Sequence, residues 1–203
     1  MLRPNATIGR PTLQWRDCGY IARSLNSRDA NEKYLAWIAN AELMSALNMP
    51  ARQLTIPELR QHIEQFDQRS KILLGIFRDD AAQALLGIFV LTLNLEHRIA
   101  RLSGFMAQDE PHDGFIAFTK SAIEFLFETR GVEKIGAQVG TNNKSAIAAC
   151  WALGFRREGL LRGEIRKFDG SGRIDQICYG LLRDEWRSIK NSARARSGSS
   201  SQA

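Results

Sequence analysis

Three apolar segments follow one another in the middle of the chain, with only short polar turns between them. They cover residues 71–77, 85–93 and 97–106. Each is long enough for one strand, and the residues between them, such as Asp79 and Asn94, are typical of tight turns. Because strands joined by short turns pair in antiparallel order, the sequence predicts an antiparallel sheet at the centre of the fold.

Segments with the apolar spacing of helices lie on both sides of these strands. One helix begins at Thr55, where Thr55 and Glu58 form a capping box and Pro57 takes an early helical position. The predicted elements are a strand at 20–25, helices at 30–41 and 55–66, the three strands, a helix at 114–129, a strand at 133–139, a helix at 143–153, and strands at 155–168 and 174–182. This order predicts a mixed α/β fold.

The chain has 203 residues, of which 44% are hydrophobic, enough for one domain with a sizeable core. We expect an N-terminal extension at residues 1–19, one domain at 20–187 and a flexible, basic, serine-rich tail at 188–203. No apolar run approaches the roughly 18 residues of a membrane span, and residues 1–17 hold no stretch typical of a signal peptide. The expected location is therefore the cytoplasm.

The formal net charge of +6 is concentrated at the C-terminal end of the chain. From residue 187 onward there are four positive side chains and no acid, which leaves +2 for the remainder. The four are Arg187, Lys190, Arg194 and Arg196. A domain this mildly basic does not indicate a nucleic-acid-binding face, so contact with nucleic acid or a ribosome is expected only through the tail.

The segment 143–155 carries the most specific motif. It reads Asn-Lys-Ser-Ala-Ile-Ala-Ala-Cys-Trp-Ala-Leu-Gly-Phe, with an asparagine first, a small residue three positions later and a Leu-Gly-Phe ending. In this element order, the motif resembles the GNAT superfamily of N-acetyltransferases. Residues 154–162 and 175–186 resemble most closely its RimJ/RimL-like branch, which acetylates ribosomal-protein N-termini and related amines.

The resemblance implies a GNAT-like, mostly antiparallel sheet in which one parallel strand pair, residues 97–107 and 133–139, splays apart between flanking helices. It also implies direct transfer of an acetyl or other acyl group from acyl-CoA to a primary amine of a peptide N-terminus or small molecule, in a ternary complex without a metal. The protein would be a monomer or a homodimer. The residues expected to bind acetyl-CoA are Phe105, Met106, Ala107, Asp113, Gly114, Phe115, Asn143 and Ser145.

The loop expected to meet the pyrophosphate departs from the family pattern of Gln/Arg-x-x-Gly-x-Gly/Ala. Residues 108–115 read Gln-Asp-Glu-Pro-His-Asp-Gly-Phe, so Gly114 is the one glycine that allows the backbone close to a phosphate. Asp109, Glu110 and Asp113 would repel a pyrophosphate unless they point away. A degenerate GNAT-fold domain that binds without turnover is therefore the alternative interpretation.

Two residues are candidates for catalysis. Asn143 is expected to order a water or the pantetheine arm, and its alternative role is to cap the following helix. Cys150 stands four residues before the helix-ending glycine, where many relatives have a tyrosine that acts as general acid. It is therefore either a proton donor to the leaving thiolate or a small buried hydrophobic residue. The general base stays open among His97, Glu110, His112, Glu158 and Asp175.

Overall fold

The computed structural model describes residues 12–17, 19–47, 49–107, 112–167 and 169–199. Its strands are β1 (Gln14–Asp17), β2 (Tyr20–Ser24), β3 (Lys71–Arg78), β4 (Leu85–Asn94), β5 (Ile99–Met106), β6 (Lys134–Gly140), β7 (Arg156–Arg166) and β8 (Arg173–Leu182). Its α-helices are α1 (Glu32–Ala39), α2 (Ala41–Ala46), α3 (Ile56–Glu64), α4 (His112–Glu124), α5 (Lys144–Ala152) and α6 (Arg183–Ser199). A 3-10 turn at Ser27–Asp29 precedes α1, and a π-helical segment at Phe125–Thr129 continues α4.

The strands of the described residues form one sheet in the order β1-β2-β3-β4-β5-β6-β8-β7. Every neighbouring pair is antiparallel except β5 and β6, which run parallel. A parallel pair requires a crossover, and α4 with its π-helical continuation supplies it. The predicted fold class, a mixed and mostly antiparallel sheet with one parallel pair and flanking helices, is confirmed.

The two faces of the sheet are covered unequally. On one face, α4 and α5 pack on the sheet around buried residues such as Phe89, Ile123 and Ile135. On the other, α1 and α3 cover β2, β3 and β4, and the buried cluster there takes no residue from β6, β7 or β8 among those the structure describes. We call the surface that β6, β8 and β7 present on this second side the open face.

A strand lies within the segment expected to be an N-terminal extension. Strand β1 pairs with β2 from Gln14–Arg23 to Asp17–Tyr20, and the indole of Trp15 stacks on the ring of Phe125 at 4.9 Å between centroids. Sequence periodicity does not indicate so short a strand, because tertiary contacts of this kind stabilise it.

The C-terminal segment also differs from the expected flexible tail, because α6 extends to Ser199. It is held against α4 by the buried Trp186, whose Nε1 donates a hydrogen bond to Glu124 at 2.9 Å, and by an ion pair between Lys190 and Glu124. These contacts stabilise a helix whose serine-rich composition alone favours a coil. The position of the domain boundaries stays a prediction.

Candidate functional site

Strands β5 and β6 pair only at their first residues and then separate. The pairs are Ile99–Lys134, Ala100–Ile135 and Arg101–Gly136. Beyond Arg101 a narrow cavity of about 100 Å³ lies between the two strands. Its lining consists of Leu47, Leu102, Ser103, Gly104, Phe115, Thr119, Ala137, Gln138, Val139, Asn143, Ala146, Ala149, Cys150, Leu153 and Phe155. We call this cavity the slot, and the Arg101–Gly136 pair its vertex.

The slot is closed on one side and accessible from the other. Helices α4 and α5 close it with side chains such as Phe115 and Ala146, which also pack against the main core. On the side of the open face, Ser103 and Gln138 at its edges are exposed to solvent. A second molecule can therefore reach a group held in the slot from the open face.

Backbone hydrogen bonding decides which N–H groups of β5 point into the slot. Ala107 donates its N–H to the carbonyl of Leu86 in β4 at 2.7 Å. N–H groups alternate between the two sides of a strand. The N–H of Phe105 therefore also points toward β4, and the N–H groups of Gly104 and Met106 point toward β6. Of the three backbone positions expected to bind pantetheine, Phe105 and Ala107 are thus engaged with β4, and for Met106 the role stays a prediction.

The start of α4 is organised around Gly114. This residue is buried, and a Cβ at its position would overlap the hydroxyl of Tyr20. Phe115, next in sequence, lines the slot. Residues 108–111 lie outside the described residues, as do the side chains of His112 and Asp113, so the expected effect of the acidic loop stays a prediction.

The asparagine motif lies at the slot. Asn143 caps α5 by accepting the N–H of Ala146 at 3.0 Å, and it also lines the slot. The two roles considered for it are thus compatible in space. Ser145 is exposed and is not part of the slot lining.

The side chain of Cys150 lines the slot but is poorly suited to proton transfer. Only 7% of the residue is exposed, and this burial raises the pKa of the thiol to about 11. An ordinary thiol has a pKa of about 8.5, so passing a proton from Cys150 to a leaving thiolate would be uphill. The geometry therefore favours the hydrophobic role over the catalytic one.

The structure separates the candidates for the general base. His97 lies in the turn between β4 and β5 and does not line the slot. Asp175 accepts the N–H of Gly163 at 2.7 Å within the final hairpin. Glu158 extends over Gly180 on the open face and forms an ion pair of 2.6 Å with Lys134. The side chains of Glu110 and His112 are not among those described.

Sequence reasoning did not find two residues at this site. Tyr20 reaches the start of α4 from β2, and Thr119, buried in α4, lines the slot while its hydroxyl donates to the carbonyl of Phe115 at 2.7 Å. The spacing of Thr119 from Phe115 is helical and would place both on one face of α4. No signal in the sequence connects Tyr20 to that helix.

A family profile described as "Acetyltransferase (GNAT) domain" matches residues 22–176. The chain belongs to the GNAT acetyltransferase family. The predicted superfamily is thus confirmed, and with it the enzyme class of acetyltransferase. Within the described residues there is no cluster of three or more metal-ligating side chains, and no described helix is long and apolar enough to cross a membrane.

Individual relatives agree with this assignment. YoaA of Bacillus subtilis, named an uncharacterized N-acetyltransferase, is 26% identical over 146 residues, which are 70% of this chain and 82% of YoaA. The spermidine N-acetyltransferase of Vibrio cholerae, solved with CoA and spermine, has a TM-score of 0.73 at 22% identity and covers 83% of this chain and 98% of its own. The ribosomal-protein-S5-alanine acetyltransferase of Vibrio fischeri has a TM-score of 0.69 at 16% identity, covering 86% and 98%.

At identities of 22% and 16%, the similarity to these two solved structures shows a shared fold alone. Both a polyamine enzyme and a ribosomal-protein enzyme are among them, so the RimJ/RimL-like branch stays a prediction.

Proposed function

We propose that this protein transfers an acetyl group from acetyl-CoA to a primary amine by direct attack in a ternary complex. The observation that carries the proposal is the slot, which opens where the Arg101–Gly136 pairing ends and is accessible from the open face. One substrate can lie in the slot while the other approaches across the sheet. Holding two reactants in this way supplies much of the catalysis that acyl transfer requires.

The residues of the slot fit a pantetheine arm. Its amides would pair with the backbone N–H groups of Gly104 and Met106, as an added strand does, and its methylenes would contact the apolar lining. Gly104 has to be glycine, because a Cβ there would lie 2.6 Å from the carbonyl oxygen of Ile88. The N-terminus of α4 and the hydroxyl of Tyr20 would face the pyrophosphate, where the helix dipole favours an anion.

The thioester would lie toward the vertex. There a backbone N–H of β5, with Gly104 the nearest that points into the slot, would stabilise the oxyanion that forms on the carbonyl. From the Ile99–Lys134 pair to the vertex, β5 and β6 remain hydrogen-bonded, so the slot is closed at this end. Because little space is left beyond the thioester, a short acyl group is favoured. Asn143 would orient the pantetheine arm or a water molecule from the opposite side.

Proton transfer in this proposal depends on Glu158 rather than on Cys150. The amine has to lose a proton before it attacks. Among the candidates for the base, Glu158 lies on the open face over Gly180, which is opposite Gly136 of the vertex. An α-amine, with a pKa of about 7.7–8.0, needs little help, so Glu158 would accept the proton directly or through water. The leaving thiolate can be protonated by solvent.

The acceptor is proposed to be a primary amine of a peptide N-terminus or a small molecule, consistent with a RimJ/RimL-like enzyme. The ribosomal-protein acetyltransferase among the structural relatives supports the first class and the spermidine enzymes the second. One spermidine N-acetyltransferase structure is a dodecamer. For this chain a monomer or homodimer stays the prediction, as does any contact of the tail with nucleic acid or a ribosome.

The proposal is tested with the unmodified protein in two steps. Calorimetric titration with acetyl-CoA measures binding, and the release of free thiol in the presence of a panel of amines measures turnover. We expect saturable binding and amine-dependent thiol release. Binding without release for any amine would favour the alternative of a degenerate GNAT domain.

A further inference from the structure

The vertex of the slot lies in a row of residues that crosses the open face. Arg101 of β5 is opposite Gly136 of β6, and Gly136 is opposite Gly180 of β8. Arg101 alternates with Leu102, which lines the slot and packs on the main core, so its side chain lies on the side of the open face. It is exposed, and no hydrogen bond or ion pair joins it to another side chain that the structure describes.

Beside Arg101, Gly136 leaves a gap between the side chains of the open face, which we call the lane. A Cβ placed on Gly136 would meet only backbone atoms, the carbonyl oxygens of Tyr179 and Ala100 at 3.8 and 3.9 Å. On the far side of the lane, the carboxylate of Glu158 covers Gly180. Since neighbouring strands are about 4.8 Å apart, the lane between the strand of Arg101 and that of Gly180 is about 10 Å wide.

The charges along this lane are unequal. Lys134 and Glu158 are paired with each other at 2.6 Å, and the guanidinium of Arg101 at the vertex has no acidic partner among the side chains that the structure describes. A guanidinium binds carboxylates through two parallel N–H···O bonds. The same guanidinium repels an acceptor that carries another ammonium group besides the reacting amine.

We propose that Arg101 is a specificity-determining residue that binds a carboxylate of the acceptor, so that the substrates are primary amines with a carboxylate close to the amine. This inference rests on the proposed function, because it places the acceptor on the open face. The carboxylate lies on Arg101, and the amine reaches the thioester at the vertex beside Glu158. Polyamines, which carry only positive charges, are poor acceptors.

Free amino acids and peptides that begin with an acidic residue both present this chemistry, and matched pairs of acceptors separate them. The first pair is phenylalanine and phenethylamine, which lacks the carboxylate. The second is two tripeptides that differ only in an N-terminal aspartate or asparagine, and spermidine is the polyamine. For each, kcat and KM are measured by thiol release with the whole protein and saturating acetyl-CoA.

The variants are Arg101→Gln and its matched control Lys71→Gln. Lys71 is exposed on the same side of the sheet in the same row, opposite Thr92, which is opposite Arg101. Both substitutions remove one positive charge, but Lys71 lies two strands farther from the slot. Melting temperature and acetyl-CoA affinity are measured for both, so that a folding defect is recognised.

We expect the unmodified protein to favour the carboxylate-bearing member of at least one pair by about 10- to 100-fold in kcat/KM. The pair that shows the preference identifies the source of the carboxylate. Arg101→Gln should remove the preference through KM, and Lys71→Gln should retain it. Equal activity within both pairs, a preference for spermidine, or equal effects of the two variants would overturn the inference while leaving the proposed function intact. Failure with every amine, in a folded protein that binds acetyl-CoA, would contradict the proposed function and with it this inference.

Discussion

The phenol ring of Tyr20 covers Gly114 so closely that a methyl group at position 114 would overlap its hydroxyl. The first residue belongs to β2 and the second to the first turn of α4. Packing therefore favours a glycine at this position, whether or not a phosphate approaches it. The one glycine left in the atypical loop has a structural reason that the family pattern alone does not reveal.

Substitution of Gly114 should affect stability and ligand binding separately. Gly114→Ala is expected to lower the free energy of unfolding by about 1–3 kcal/mol through overpacking, seen as a melting temperature several degrees lower. Gly114→Asp should in addition weaken acetyl-CoA binding by placing a negative charge at the proposed pyrophosphate site. In the double variant with Tyr20→Ala, the effects of Gly114→Ala and Tyr20→Ala should be less than additive. Full additivity would show that Tyr20 is not the obstacle.

Asn143→Ala should reduce turnover more than it reduces stability. Loss of the cap is expected to cost about 1 kcal/mol. Asn31→Ala is the matched control, because Asn31 caps α1 by accepting the N–H of Tyr34 at 2.9 Å and is not part of the slot lining. Chemical denaturation should show similar losses for both variants, and thiol release should fall only for Asn143→Ala. Equal turnover in the two would leave Asn143 with the role of a cap alone.

Cys150→Ala should leave kcat nearly unchanged. A thiol whose pKa is about 11 contributes little as an acid at neutral pH, and the variant should lose only the stability of a small cavity. Cys150→Tyr should overpack the slot and weaken acetyl-CoA binding. A well-folded Cys150→Ala protein whose rate falls by about 10² would instead identify the thiol as a general acid.

Glu158→Gln is expected to lower kcat by about 10²-fold or more if this carboxylate accepts the proton of the amine. Glu133→Gln is the control, because Glu133 is similarly exposed and forms an ion pair of 2.5 Å with Arg98. Steady-state kinetics with one good acceptor compares them. A similar small effect of both substitutions would mean that Glu158 only balances the charge of Lys134.

Local patterns in the sequence predict most of the strands and helices, because the apolar periodicity and the turn residues agree with the final packing. Three elements were not predicted in this way: β1, α6 and α2, which the structure separates from the single helix expected at 30–41. The four-residue β1 and the polar helix α6 depend on contacts with distant residues, as in the stacking of Trp15 on Phe125 and the bond from Trp186 to Glu124.

The site was only partly predictable for the same physical reason. Asn143 and Cys150 belong to one contiguous motif, so the resemblance locates them together. The lane on the open face combines Arg101, Gly136, Glu158 and Gly180, which come from four strands. Their adjacency follows from the order β5-β6-β8-β7, and only the assembled sheet reveals it.

Obstructing the slot from α5 tests whether acetyl-CoA binds between β5 and β6. Ala146 lines the slot, whereas Ala148, two residues later on the same helix, is exposed and does not. Calorimetric titration with acetyl-CoA compares Ala146→Phe with Ala148→Phe, after melting curves establish that both are folded. We expect Ala146→Phe to weaken binding by about 10-fold or more, equivalent to about 1.4 kcal/mol, and Ala148→Phe to bind as the unmodified protein does. Unchanged affinity in a folded Ala146→Phe protein would show that acetyl-CoA does not bind in the slot.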